Sequence, residues 1–240
     1  MGLRKQRLEK IGGLDCVYLP GEDCGPLIVF FHGYGADAWD LAPLSHELGV
    51  EGATWVFPNG TLEVPIGPGW TGRAWFQIDV QGLEQAMAAG THREMSDLRP
   101  VEMDKVLLDV QKLFKALGPE DYSKVIVGGF SQGAMLSTEV VLSTPMKVDG
   151  AVLLSGTLLD QAAWREKVKS RPPVPFFQSH GTQDALLSFS AAQKLEQLLR
   201  AGGWKGHLRA FRGGHEIPFQ VLMELKAFIH GIIQGGNKNS

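Results

Sequence analysis

Apolar residues along the chain fall into two alternating rhythms. Short runs dense in Val, Ile, Leu and Phe recur at residues 15–19, 27–32, 54–57, 124–127, 151–154, 175–180 and 207–211, and the central ones are apolar almost throughout, as strands covered on both faces are. Between them the spacing changes to that of helices. Val106, Leu107, Val110, Leu113, Phe114 and Leu117 share one stripe, with Asp104, Lys105, Asp109, Lys112 and Lys115 elsewhere around the same turns, which predicts an amphipathic helix beginning near Pro100. Further helices are predicted at residues 40–48, 132–142, 190–201 and 218–232. Strands alternating with helices in this way predict an α/β fold, a mainly parallel sheet with helices on both faces. No internal repeat is visible.

One segment fits neither rhythm. Residues 58–90 are rich in Gly and Pro yet contain Trp70, Trp75 and Phe76, too long a stretch for a plain connector in a compact domain. Its aromatics argue against disorder.

Length and composition narrow the picture further. The 240 residues and 26.2 kDa suit one domain, with its core at about 14–233 and a polar, Gly-rich tail at 234–240; 44% apolar and 20% charged residues allow a substantial core. The formal net charge is -3 with no basic run, so no nucleic-acid partner is expected. The basic first ten residues lack the apolar stretch of a secretory signal, Gln6 stands where a myristoylation signal needs Ser or Thr, and no apolar run is long enough for a span. A cytoplasmic address without membrane anchoring is expected. Cys16 and Cys24 are too few for a metal cage or a disulfide framework.

Candidate chemistry begins at residues 124–133, KVIVGGFSQG, where an apolar run leads into G-x-S-x-G at Gly129, Ser131 and Gly133 and then into helix-forming residues. In that context a sharp strand-to-helix turn exposes the serine above the sheet, while glycines on either side avoid clashes. A serine hydroxyl needs a base, and the base needs an orienting acid. With the order Ser, acid, His, the candidate bases are His207, His215 and His230. His215 is favoured because it follows Gly213 and Gly214 on the loop after a predicted strand, at the end where ligands meet open α/β sheets. Asp184, just past the strand at 175–180, is favoured as the acid over Asp160, which suits a helix cap. Two backbone amides would receive the developing oxyanion: that of Gln132 after the nucleophile, and that of Tyr34 in the turn His32-Gly33-Tyr34-Gly35. Trp75, Leu158 and Leu186 are expected to wall an apolar acyl groove.

Competing motifs are incomplete. Gly33, Gly35 and Ala38 spell a dinucleotide fingerprint, but the strand that should end on an acidic residue ends Phe57-Pro58-Asn59. Gly128 and Gly133 have phosphate-loop spacing, but Ala134 and Met135 occupy the Lys and Ser/Thr positions. His215-Glu216 lacks the second His of a zinc helix, where Phe219 stands. No cofactor and no metal are expected.

Together GGFSQGAMLS (128–137), HGYGAD (32–37), RAWF (73–76), LSG (154–156), HGTQD (180–184) and GGHEI (213–217) resemble the phospholipase/carboxylesterase family of small α/β-hydrolases, which includes the acyl-protein thioesterases. The matches run from about residue 25 to 230. The resemblance implies an α/β-hydrolase fold, Ser131, Asp184 and His215 as a triad, and the Tyr34 and Gln132 amides as oxyanion hole. Tyr34 replaces a leucine of the eukaryotic thioesterases, Ala36 separates Gly35 from Asp37, and Gln77 stands where an aspartate is common, so the turn resembles the bacterial carboxylesterase branch. The expected reaction is hydrolysis of a small-molecule carboxylic ester through an acyl-serine, with thioester or lysophospholipid hydrolysis as the alternative.

Overall fold

The run Leu27–Phe31 has no accessible side chain on either face, and its alternation sorts the interior into two layers. Leu27, Val29 and Phe31 pack into one core, Ile28 and Phe30 into the other, as the two-residue period of a strand covered on both sides requires. The computed structural model, which describes residues 5–235, builds the rest around this strand.

In chain order the elements are β1 (Arg7–Ile11), β2 (Leu14–Leu19), β3 (Leu27–Phe31), α1 (Ala38–Leu41), α2 (Leu44–Glu47), β4 (Thr54–Pro58), β5 (Leu62–Gly67), β6 (Trp70–Ala74), α3 (Val80–Ala88), α4 (Met103–Leu117), β7 (Val125–Phe130), α5 (Gln132–Ser143), β8 (Gly150–Leu154), α6 (Gln161–Ser170), β9 (Phe176–Gly181), α7 (Phe189–Ala201), β10 (Gly206–Phe211) and α8 (Phe219–Gln234). Eight strands form one sheet in the order β1-β2-β4-β3-β7-β8-β9-β10, and β5 and β6 form a separate hairpin. Pairing is antiparallel from β1 through β2 to β4 and parallel from β4 onward. Residues of α4, α5, α6 and α7 pack in the first core; those of α1, α2 and α8 pack in the second. The order places β3 and β7 side by side at the centre. Their carboxyl ends deliver the turns after Phe31 and Phe130 next to each other.

Three features depart from the sequence pattern. The helix expected at 40–48 is two short ones divided at Pro43, which has no N–H to continue a helix. The segment after residue 58 holds the β5–β6 hairpin and α3. β1 and α6 were not predicted: β1 reads RLEKI with no buried side chain, and α6 buries only Trp164 and Val168. Of the expected tail, Gln234 closes α8; residues 236–240 lie outside the described part. Among the described residues no helix is long and apolar enough to cross a membrane.

Candidate active site

Ser131 sits between the last residue of β7 and the first of α5, with φ 55° and ψ -117°. A non-glycine residue held there is strained, and such strain persists only where surrounding contacts over-determine it. They do so here: Ser131 N–H donates to Leu154 O at 2.8 Å, and Ser131 O accepts from Ala134 N at 3.0 Å and Met135 N at 3.2 Å. The flanking glycines permit the close approach. A Cβ on Gly133 would stand 1.9 Å from Phe31 O, and one on Gly129 2.5 Å from the carbonyl carbon of Gly133.

Asp184 and His215 come from the neighbouring strand ends. After β9, Asp184 folds back on itself, its Oδ1 accepting from Leu186 N at 2.9 Å and Leu187 N at 3.0 Å. This Asx-type turn fixes the carboxylate. The loop after β10 is laced to it by Thr182 N to Phe211 O at 2.8 Å and Gln183 N to Gly213 O at 2.9 Å. His215 Nδ1 lies 2.7 Å from Asp184 Oδ2, so Nδ1 carries the proton and Nε2 is left as the basic nitrogen. Burial would raise the Asp184 carboxyl, but the hydrogen bond and charge of His215 and the two amides outweigh it and hold the group below the usual aspartate range.

Ser131, His215, Tyr34 and Gln132 line one cavity of about 260 Å³. Its other walls are largely apolar, with Ile78, Val80, Leu83, Met95, Met135 and Leu186 among them. A larger hollow, about 760 Å³ and lined by Phe114, Tyr122, Pro145 and Met146, lies at the amino ends of β7 and β8 and has no serine, cysteine or histidine in its lining.

The expected groove is corrected at two of its three residues. Leu186 lines the cavity, but Trp75 and Leu158 do not; each is 1% exposed and sits in the core. Trp75 is held inward because both of its N–H groups find buried acceptors: the backbone amide donates to Gln132 Oε1 at 2.8 Å and the indole Nε1–H to His32 O at 3.0 Å. Leu158 packs in the apolar cluster that includes α5 and α6. The alternative histidines stand apart from the cavity, His207 3.8 Å from Glu196 and His230 3.5 Å from Leu48 O. Asp160, the alternative acid, meets Arg99 at 3.1 Å.

The sequence reading missed several contributors. His180, fully buried, approaches Leu187 O at 2.9 Å and Asp184 Oδ2 at 3.3 Å through Nε2; burial pushes its pKa below the usual histidine value. It precedes the acid by four residues at a strand end, a spacing that could have drawn attention. His92 donates from Nε2 to Asp184 O at 2.7 Å, and no local pattern announces a contact across 92 positions. Among the described residues no group of three or more His, Cys, Asp or Glu side chains could hold a metal ion.

A serine on a strand-to-helix elbow thus lines the same cavity as a histidine bonded to a strand-end carboxylate, and the phospholipase/carboxylesterase family model matches residues 15–233. The chain belongs to the phospholipase/carboxylesterase family. Its relatives include an acyl-protein thioesterase 1 of Candida albicans, 26% identical across 89% of this chain and 95% of the relative. Carboxylesterase SOBER1 of Arabidopsis thaliana is 26% identical across 88% of this chain and 92% of its own. Among solved structures, that of esterase PE8 superposes with a TM-score of 0.76 at 23% identity, covering 91% of this chain and 99% of the other. The expected α/β-hydrolase fold and family membership both hold.

Proposed function

We propose that the cavity at Ser131 is the active site of this serine ester hydrolase, with Ser131 as nucleophile, His215 as base, Asp184 as its orienting acid, and the Tyr34 and Gln132 amides as oxyanion donors. The observation that carries the reading is the 2.7 Å bond from His215 Nδ1 to a fully buried carboxylate, in a cavity that the elbow serine also lines. As Ser131 Oγ attacks the ester carbonyl, His215 Nε2 takes its proton and the carbonyl oxygen becomes negative. The imidazolium then returns the proton to the departing alcohol oxygen as the C–O bond breaks. Water repeats the sequence on the acyl-Ser131 ester, giving the carboxylic acid and the free serine.

Support for the oxyanion donors is positional. Gln132 opens α5, where first-turn amides lack intrahelical acceptors and the helix dipole favours negative charge. Tyr34 lies in a turn fastened to β6 through Gly35 N to Arg73 O at 2.8 Å and Arg73 N to Ala36 O at 2.9 Å. The apolar walls suit the acyl chain, at roughly 0.8 kcal/mol per buried methylene. The same machinery accepts a thioester, which the name of the Candida relative makes the second reading; competition between matched oxo- and thioesters decides between them.

Ser131→Ala is expected to fold with an unchanged melting temperature while losing turnover and covalent labelling by a fluorophosphonate. Retention of labelling in that variant would remove Ser131 from the mechanism.

A further inference from the structure

Trp75 follows the last residue of β6 and is buried where the two turns after β3 and β7 meet. Its hydrogen bonds reach both. The backbone N–H donates to Gln132 Oε1 at 2.8 Å, and Gln132 Nε2 in turn donates to Phe76 O at 2.7 Å, so the side chain of the first α5 residue is clamped by both arms to the 75–76 backbone. The indole Nε1–H donates to His32 O at 3.0 Å, and the indole ring lies 5.2 Å from the His32 ring. His32 Nε2 accepts from Gly60 N–H at 2.9 Å, so Nδ1 carries the proton and donates to Gly33 O at 2.7 Å. That carbonyl belongs to the peptide whose N–H is Tyr34's. In a planar trans peptide, fixing the C=O direction fixes the N–H direction.

We propose that Trp75 is a positioning residue that sets the Tyr34 and Gln132 amides relative to one another, by tying the first to the second through His32 O and Gln132 Oε1. The inference rests on the serine-hydrolase reading above. Trp75 contacts no substrate atom in this scheme. Its role is to hold two donors, on loops from different strands, at the separation that an oxyanion needs, and preorganised donors lose their value quickly when misplaced. All three side chains concerned, Trp75, His32 and Gln132, are at most 2% exposed, so water does not substitute for a lost bond without reorganising the site.

A wall and a strut give different kinetics. Removing a wall residue changes the dependence of rate on acyl length. Removing a strut lowers the rate for every acyl chain alike, and weakens an inhibitor that becomes an oxyanion by the same factor. The test compares wild type with Trp75→Phe, which keeps an aromatic ring and the backbone amide but deletes the indole N–H. Gln132→Leu is the second variant, deleting both side-chain bonds to the 75–76 backbone. Melting temperature, kcat and KM on butyrate and octanoate esters, and Kd for a trifluoromethyl ketone, which adds to Ser131 as an anionic hemiketal, are measured for each. We expect kcat to fall about tenfold on both esters with KM within a factor of two, and Kd for the ketone to rise by the same factor. The fluorophosphonate-active fraction corrects for any unfolded protein. Corrected kcat and ketone Kd within twofold of wild type in both variants would overturn the proposal, as would a loss confined to the longer ester. If the wild type itself fails to label at Ser131, the serine-hydrolase reading falls first and takes this inference with it.

Discussion

Two helices contribute walls to the same cavity and are held in opposite ways. Every residue of α5 from Gln132 to Leu142 is buried, whereas α3 buries none of its nine. Yet Met135 comes from the first and Val80 and Leu83 from the second. The elbow before α5 is fixed by backbone bonds and by glycines pressed against neighbouring backbone. The α3 segment depends on a few polar contacts at its ends: Asp79 Oδ1 caps Gly82 N at 2.9 Å, Arg93 bridges to Asp79 Oδ2 at 3.2 Å, and His92 reaches Asp184 O at 2.7 Å. On the proposed reading, Ser131 and the Gln132 amide, which must be placed within tenths of an ångström, sit on the close-packed part. The part proposed to cover an acyl chain sits where local opening costs least.

The most damaging change should therefore be the smallest in volume. Gly133→Ala would place its methyl among Phe31 O, Phe31 C and His32 O, at 1.9, 2.4 and 2.7 Å, all backbone atoms. A loss of about 3 kcal/mol or more is expected, together with loss of activity. Denaturant unfolding measures it; a cost below 1 kcal/mol would mean that the elbow can move.

Acid should attack the same rigid region. Burial holds both His32 and His180 below the usual histidine pKa, so as pH falls through about 6.5 the unfolded chain takes up protons that the folded chain excludes. Their contribution is complete above that pH and declines below it, by at most about 1.4 kcal/mol per pH unit for each histidine. Asp184 acts in the same sense, in a lower pH window. Its depressed pKa contributes stability that persists down to the carboxylate range and is lost only as pH falls through its folded value. Urea midpoints measured from pH 7.5 to 5 should thus decline before carboxylates titrate, and a flat profile to pH 5 would contradict the neutral, buried imidazoles.

On the α3 side the effects should be local. Asp79→Ala removes the cap and the bridge to Arg93; a cap is typically worth about 1 kcal/mol, an exposed pair less. Because α3 buries nothing, that loss should appear as faster amide exchange in residues 80–88 and a several-fold higher KM for a long acyl ester, with the melting temperature nearly unmoved. A large drop in melting temperature would show that α3 is integral to the fold.

The same contrast explains what was legible from the chain. Strands β3, β7 and β8 declare themselves because both faces are covered, which leaves continuous apolar runs. β1, at the sheet edge, needs no such run, and α6 needs only Trp164 and Val168 inside. The chemistry-bearing residues lie where strand ends and glycine turns constrain the chain within a few positions, so local pattern suffices to nominate Ser131, Asp184 and His215. Walls built by long-range contact leave no local signature. Trp75 and Leu83 sit in the same stretch of sequence, and nothing near either states that the larger one turns inward to Gln132, 57 positions away, while the smaller faces the cavity.

The smallest effect sharpens the comparison most, because it sets one wall residue from each helix side by side. Met135 is 3% exposed on α5 and belongs to the core as well as to the cavity; Leu83 is half-buried on α3. Met135→Ala should therefore lose stability in the 2–5 kcal/mol range usual for such core truncations, roughly, and alter acyl preference together. Leu83→Ala gives up little packing on folding, since its outer side already meets water. Its contact with a bound chain is worth about as much as one methylene, roughly 0.8 kcal/mol, or about fourfold in kcat/KM. That loss should appear for an octanoate ester and vanish for an acetate ester too short to reach the wall. The two melting curves and two length profiles decide the matter: if Leu83→Ala destabilises the protein as much as Met135→Ala, or lowers acetate and octanoate hydrolysis equally, α3 is not a separable wall and the division between rigid chemistry and compliant specificity fails.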